Sequence, residues 1–204
     1  MVKEILDRSA EQRILTAAKK IFLTKGMDGA RMQDIADEAG INKAMLHYYF
    51  RSKDKLFETI FTEIATHFFP RIIEIFECEK TLFEKIQLFC SEYIDKVKQA
   101  PYLPLFVLSE ANKRPDMLMK KMFGNRKPPV HLFFRQVEEE IKKGIIKPIH
   151  PVQLFLNMLS MCVFPFMAKP MLEQAAGINK KQFDALMEER KKLIPAFIIA
   201  SIKK

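Results

Sequence analysis

Apolar residues recur at three- and four-residue spacing along nearly the whole chain, which restricts it to helix packed on helix. A sheet would need alternating runs joined by tight turns. Only 6 of the 204 residues are glycine, and no Asn-Gly or Asp-Gly turn joins alternating runs. The expected fold is therefore all-α, with about nine helices.

Punctuation divides the pattern into segments. Ser9 with Gln12 three residues on is a capping-box start, and Ile14, Ala17, Ala18, Ile21 and Phe22 form one stripe up to Lys25-Gly26. Met32, Ile35, Ala36 and Ala39 form a shorter stripe ending at Gly40, and Asn42 caps a third helix running to about Phe50. Ser52 opens a fourth, long helix that Pro70 should kink or end. Thr81 and Glu84 make another capping box, and further helices are expected at about 103–113, 115–123 and 128–143. Two long apolar helices, at about 151–175 and 179–202, close the chain.

The segment from Gln33 to Phe50 meets the physical needs of a helix-turn-helix. Ala36 is small where two helices cross, and Gly40 stands where the backbone needs a left-handed turn that a side chain would penalise. Asn42 caps the next helix, and Ile41 can staple onto Leu46. Ile35, Ala39, Ile41, Leu46 and Tyr49 close a small core, which leaves Lys43, Ala44, Met45, His47 and Tyr48 free to enter a major groove. An ordinary helical hairpin with a glycine turn has the same backbone pattern, so the wider sequence must decide.

Charge helps little. The formal net charge is +9, which suits a polyanionic partner. Up to Lys55, however, 11 Lys/Arg face 8 Asp/Glu, a balance of +3, and the excess is shared with the rest of the chain. The longest apolar stretch, 154–168, contains Asn157, Ser160 and Pro165 and falls short of a bilayer span. The charged N-terminus does not read as a secretory signal, so a cytoplasmic location is expected. Cys78, Cys90 and Cys162 are odd in number and far apart, which implies neither a disulfide framework nor a zinc site. Without HExxH, GxSxG or a glycine-rich phosphate loop, and with four histidines that do not cluster, no enzyme, metal site or cofactor is expected. Glu63 and His67 could share a helix face, which reads as a surface or pocket-wall pair.

Over roughly residues 11–57 the chain resembles the TetR family of bacterial regulators. The matching positions are Ile14-Leu15-x-Ala17-Ala18, Phe22, Gly26, Ile35-Ala36-x-x-Ala39-Gly40-Ile41, Leu46, Tyr48-Tyr49-Phe50 and Ser52-Lys53-Asp54-x-Leu56. The resemblance implies a helix-turn-helix DNA-binding domain at 1–52 and a larger helical effector-binding and dimerisation domain at 53–204. It further implies a homodimer on double-stranded operator DNA, acting as a ligand-responsive repressor. Tyr48, Tyr49 and Lys53 would grip phosphates, although Tyr49 could equally belong to the core. Lys43 could read guanine or meet a phosphate, and Gln33 joins Ala44, Met45 and His47 as a further candidate contact. Departures concentrate on the contact surface. Arg31 stands where the family favours a hydroxyl, Ala44 where it commonly has glycine, and His47 where it commonly has tyrosine. We expect Arg31 to meet a phosphate.

The C-terminal two-thirds matches only in length and helical character. Its share of the 18 phenylalanines and 12 methionines makes a large, adaptable apolar interior. Candidates to line a cavity for a small apolar or aromatic effector are Phe89, Tyr93, Tyr102, Phe106, Phe123, Phe134, Met158 and Met161. The last two helices, with Phe155, Leu159, Val163, Phe183, Leu186, Leu193, Phe197 and Ile198, are apolar enough to need a partner surface, by resemblance a second subunit. The rival reading is a basic helical carrier of apolar ligands in which the helix-turn-helix is only a fold element.

Overall fold

Local signals place most helix ends in the computed structural model, which describes residues 2–101, 103–113, 115–123 and 129–204. Among these residues are eleven helices: α1 (Val2–Gly29), α2 (Met32–Ala39), α3 (Lys43–Tyr49), α4 (Lys53–Glu77), α5 (Leu82–Gln99), α6 (Leu103–Lys113), α7 (Pro115–Phe123), α8 (Val130–Lys142), α9 (Pro151–Met167), α10 (Lys169–Ala176) and α11 (Lys180–Ile202). Thr81 caps α5 as expected: its hydroxyl accepts from the Glu84 N–H, and Glu84 accepts from the Thr81 N–H at 2.9 Å. The Thr81 hydroxyl and N–H both donate to the Glu84 carboxylate and hold it below its usual range. Asn179 and Gln182 form a second such box at the start of α11, reciprocally bonded at 3.0 and 2.8 Å.

Three expectations need correction. First, α1 begins at Val2 and ends at Gly29, so Ser9 lies inside it and Gly26 does not close it. With no proline following, an interior glycine costs only about 1 kcal/mol, and the stripe of Ile14, Ala17, Ala18 and Ile21 is buried against that cost. Second, of the two outcomes expected at Pro70, a kink or an end, the end does not occur: α4 continues to Glu77, with Phe68, Ile72, Ile75 and Phe76 burying the same face on both sides of the proline. Third, the segment expected at 151–175 is two helices, α9 and α10, bent by 68°. Pro165 and Pro170 flank the break at Ala168 and each withholds an N–H there, which takes the number of helices above the expected nine. No single described helix is long and apolar enough to cross a membrane.

By internal contact the chain divides into two compact units, Met1–His67 and Phe68–Lys204, so that α4 contributes to both. In the first, α1 packs on α2, and Phe22 meets Phe57 of α4 edge-on at 5.3 Å. Ile14, Ala18, Ile35, Ala36, Leu46 and Leu56 are fully buried there. In the second unit α5 is central and packs on α8, α9 and α11. Phe76, Phe89, Phe133 and Phe155 form its aromatic core, with ring centroids 5.6–6.4 Å apart. Lys85, the one buried charged residue among the described residues, donates to the Phe76 carbonyl at 3.0 Å, placing a cation at the negative end of α4. On the rim of the α5–α11 contact Lys191 bridges Asp95 and Glu188, and Lys98 also reaches Glu188. The hydrogen bonds from Lys191 and Lys98 lower the Glu188 carboxyl to about 2.

Candidate nucleic-acid interface and apolar cavity

The α2–turn–α3 segment is built as the sequence demands. Gly40 ends α2 in the left-handed region, at φ 65°, and its N–H and that of Ile41 return to the Asp37 and Ala36 carbonyls. Any other residue would carry a conformational penalty there, although a Cβ would meet no neighbour within 4 Å. The Asn42 side chain accepts from the Met45 N–H at 2.7 Å and so starts α3. Leu46 anchors α3 in full burial, Phe50 is buried behind it, and Ile41 and Tyr49 are half-buried. The opposite face presents Lys43, Ala44, Met45, His47 and Tyr48 to solvent, Tyr48 being 77% exposed and Met45 37%. Tyr48 stands edge-on to Tyr49 at 5.4 Å, which fixes its direction.

Pairing inside the unit sorts its cations. Lys19, Lys20 and Lys25 are taken by Glu63, Glu38 and Asp34, each at 2.7 Å. Lys25's hydrogen bond, with help from the Arg31 charge, holds the Asp34 carboxyl below its usual range. Gln33 is turned along its own helix to Asp37 at 2.8 Å. Glu63 is bound to Lys19 of α1, and the side chain of His67 lies outside the described residues. Arg31, Lys43 and Arg51 remain exposed, and among the described residues none of them is in an ion pair. Arg31 occupies the N-cap of α2 with no capping side-chain bond. Lys53, at the start of α4, donates to the Ala30 carbonyl at 3.1 Å and so brings the α4 N-terminus beside that of α2. The N-termini of α2 and α4 thus lie side by side with Arg31, Lys53 and the nearby Arg51, in the same unit as the exposed face of α3, an arrangement suited to phosphate contacts. Sequence reasoning passed over Arg51; its position directly after Phe50, the last buried residue of the motif, was the available signal.

The second unit holds an apolar cavity of about 350 Å3. Phe68 and Phe69 of α4, Tyr93 of α5, Val107 of α6 and Leu159 and Val163 of α9 are among its walls. Of the sequence candidates, Tyr93 lines it. Phe89 is buried, with Tyr93 stacked on it at 5.3 Å, while Phe134 meets Phe133 and Phe155, and Met158 is fully buried. Phe123 reaches Phe69 at 6.3 Å, and Met161 gives its carbonyl to Arg190. Tyr102 lies outside the described residues, as does the side chain of Phe106. A second hollow, of about 500 Å3 between α5 and α11, is lined by charged groups including Lys80, Glu84, Lys191 and Lys192. Its charged walls make it a solvated groove.

The two C-terminal helices run antiparallel, since Phe166 meets Phe183 and Met161 meets Arg190. Of the residues expected to need a partner surface, Phe183 and Ile198 are buried in the chain's own core, Phe155 joins its aromatic cluster, and Leu159 and Val163 line the cavity. Exposed apolar positions include Leu186, Leu193 and Phe197 of α11 and Leu156 and Phe164 of α9, with Leu193, Phe197 and Phe164 reaching 54–61% exposure. Among the described residues no group of histidine, cysteine and carboxylate side chains could hold a metal ion.

Comparison with known proteins agrees with this anatomy. The family model of bacterial regulatory proteins, tetR family, matches residues 14–60. The chain is 25% identical over 153 residues to the HTH-type transcriptional regulator YhgD of Bacillus subtilis, which covers 74% of this chain and 78% of that one. It is 40% identical over 62 residues to the HTH-type transcriptional repressor NicS of Pseudomonas putida, covering 30% of this chain and 29% of that one. The solved structure of the ketosteroid transcriptional regulator KstR2 of Mycobacterium tuberculosis shares the fold at a TM-score of 0.71, with 14% identity and 95% of both chains covered.

Proposed function

Because the chain belongs to the TetR family of bacterial regulatory proteins, we propose that it represses transcription as a homodimer and leaves its operator when a small apolar or aromatic effector enters the α4–α5–α6–α9 cavity. DNA-binding transcriptional regulation is the function of the family. The observation that carries the reading here is the solvent-facing side of α3, where the exposed Lys43, with Arg31 and Arg51 nearby, makes no ion pair among the described residues. Lys43, Ala44, Met45, His47 and Tyr48 read base edges, Arg31, Arg51 and Lys53 position the phosphates, and Tyr48 can serve both. The exposed Leu186, Leu193 and Phe197 support a dimer through α9 and α11, which would set two α3 helices on successive major grooves about 34 Å apart. The effector would act through α4, whose Lys53 end is tied to Ala30 and whose Phe68–Phe69 turn walls the cavity beside Pro70. A bound ligand that favours one course of α4 shifts the population towards dimers whose α3 spacing misfits DNA.

Titrating the protein against labelled DNA from upstream of its own gene, and against scrambled DNA, tests the reading. Specific binding is expected in the range of about 10⁻⁸–10⁻¹¹ M, with affinity falling linearly on a log–log plot against salt. Uptake of apolar ligands with no preference for any DNA would instead establish the carrier.

A further inference from the structure

The walls of the 350 Å3 cavity are apolar almost throughout, and among the described residues none that lines it is charged. Among the described lining residues, Tyr93 and Ser160 carry hydroxyls. Ser160 donates back along its own helix to the Asn157 carbonyl at 3.3 Å, so its proton is engaged. Tyr93 differs. Its ring is fixed between Phe89, stacked at 5.3 Å, and Phe68, edge-on at 5.3 Å, and its hydroxyl has no hydrogen-bond partner among the described residues. Tyr93 is half-buried on the cavity wall, and its hydroxyl is free to donate to a molecule bound there. Burial also pushes the phenol above its ordinary range, so at neutral pH it keeps its proton and is a donor.

We propose that the effector is an electrically neutral molecule with an apolar body and a hydrogen-bond acceptor, a carbonyl or ether oxygen, that receives the Tyr93 hydroxyl. A carboxylate, phosphate or sulfonate would lose water on entering a cavity whose described lining offers no cation, a cost that one neutral donor does not offset. A plain hydrocarbon would leave the phenol unmet. Tyr93 is thus the residue that tells a ketone from a hydrocarbon or an acid of the same shape. The inference rests on the cavity being the effector site.

Three naphthalene probes of similar shape test it on the full-length protein: the fluorescent ketone 6-propionyl-2-dimethylaminonaphthalene, neutral 2-ethylnaphthalene and anionic naphthalene-2-carboxylate, the last two read by displacement of the first. Val163→Trp, which fills the cavity from α9, should abolish ketone binding. Tyr93→Phe should weaken the ketone roughly three- to thirty-fold, the range of one lost buried hydrogen bond, while 2-ethylnaphthalene is unchanged and the carboxylate binds at least ten-fold more weakly than the ketone to the unaltered protein. Equal effects of Tyr93→Phe on ketone and hydrocarbon, or tight carboxylate binding, overturn the assignment of the effector's chemistry and leave the cavity as the site. Ketone binding that survives Val163→Trp in a variant of unchanged helical content overturns both.

Discussion

Arg31 is the residue at which this chain departs most from what a helix start prefers. It sits at the N-cap of α2 with extended backbone, φ −110° and ψ 145°, and makes no capping bond, so the helix forgoes a contribution of about 1 kcal/mol. A guanidinium at the positive end of a helix dipole adds a smaller cost. Asp34, in the first turn and held ionised by Lys25, offsets part of it in the free protein. The remainder is recovered if Arg31 meets a phosphate. Replacing Arg31 by Ala should therefore leave thermal unfolding within about 0.5 kcal/mol of the original, weaken operator binding, and lower the slope of log affinity against log salt by about 1. Fluorescence anisotropy at four or five salt concentrations measures that slope, and a slope identical to the parent's would remove Arg31 from the phosphate contacts. Lys43 and Arg51 are exposed on the same motif, and the same titration ranks all three.

Among the elements, α9 owes its shape to proline and its integrity to a neighbour. Pro165 has no N–H to return to the Met161 carbonyl one turn back, and Arg190 of α11 supplies the missing donor at 2.8 Å. The cross-link is imperfect, since the Arg190 Nε is buried with no partner. Removing the guanidinium with Arg190→Leu should cost about 1–3 kcal/mol, because it strands a buried carbonyl. Adding Pro165→Ala restores the helix's own donor, so the double variant should lose clearly less than the sum of the two single changes. Urea midpoints at constant slope provide the cycle; strictly additive losses would mean that Arg190 does not replace the donor withheld by Pro165. Without a second element's side chain in view, the sequence marks Pro165 only as an interruption.

At the scale of the whole molecule, two apolar surfaces compete for explanation. One is the cavity wall of α4, α5, α6 and α9; the other is the exposed row of Leu186, Leu193 and Phe197 on α11, with Phe164 on α9 bordering both. Contiguous exposed apolar rows on this scale mark association surfaces. Charge at the centre of that row should split the proposed dimer without touching the core: Leu193→Glu with Phe197→Glu should sediment as a folded monomer at micromolar concentration and lose at least ten-fold in operator affinity, because one α3 then binds alone. A double variant that remains dimeric would place the interface elsewhere.

The sequence by itself determined the helices whose ends are written in local chemistry. Thr81 with Glu84, Asn42, Gly40 and the alternation of buried and open positions from Ile35 to Tyr48 all act within a few residues of themselves, so α2, α3 and α5 and the exposed face of the motif were legible. The family framework at residues 14–60 was legible for the same reason, being a set of short-range spacings. What the tertiary structure alone decided is which neighbour each apolar side chain meets. Phe89 and Met158 were as good cavity candidates as Tyr93 until packing enclosed them in the core, and Phe134 until it turned to Phe133 and Phe155; Phe155 and Phe183 were as good interface candidates as Phe197. Helical periodicity assigns a side chain to a face, and a face in this fold can look onto a core, a cavity or a second subunit. Only the positions of the other helices distinguish them, and with them the role of a single tyrosine hydroxyl.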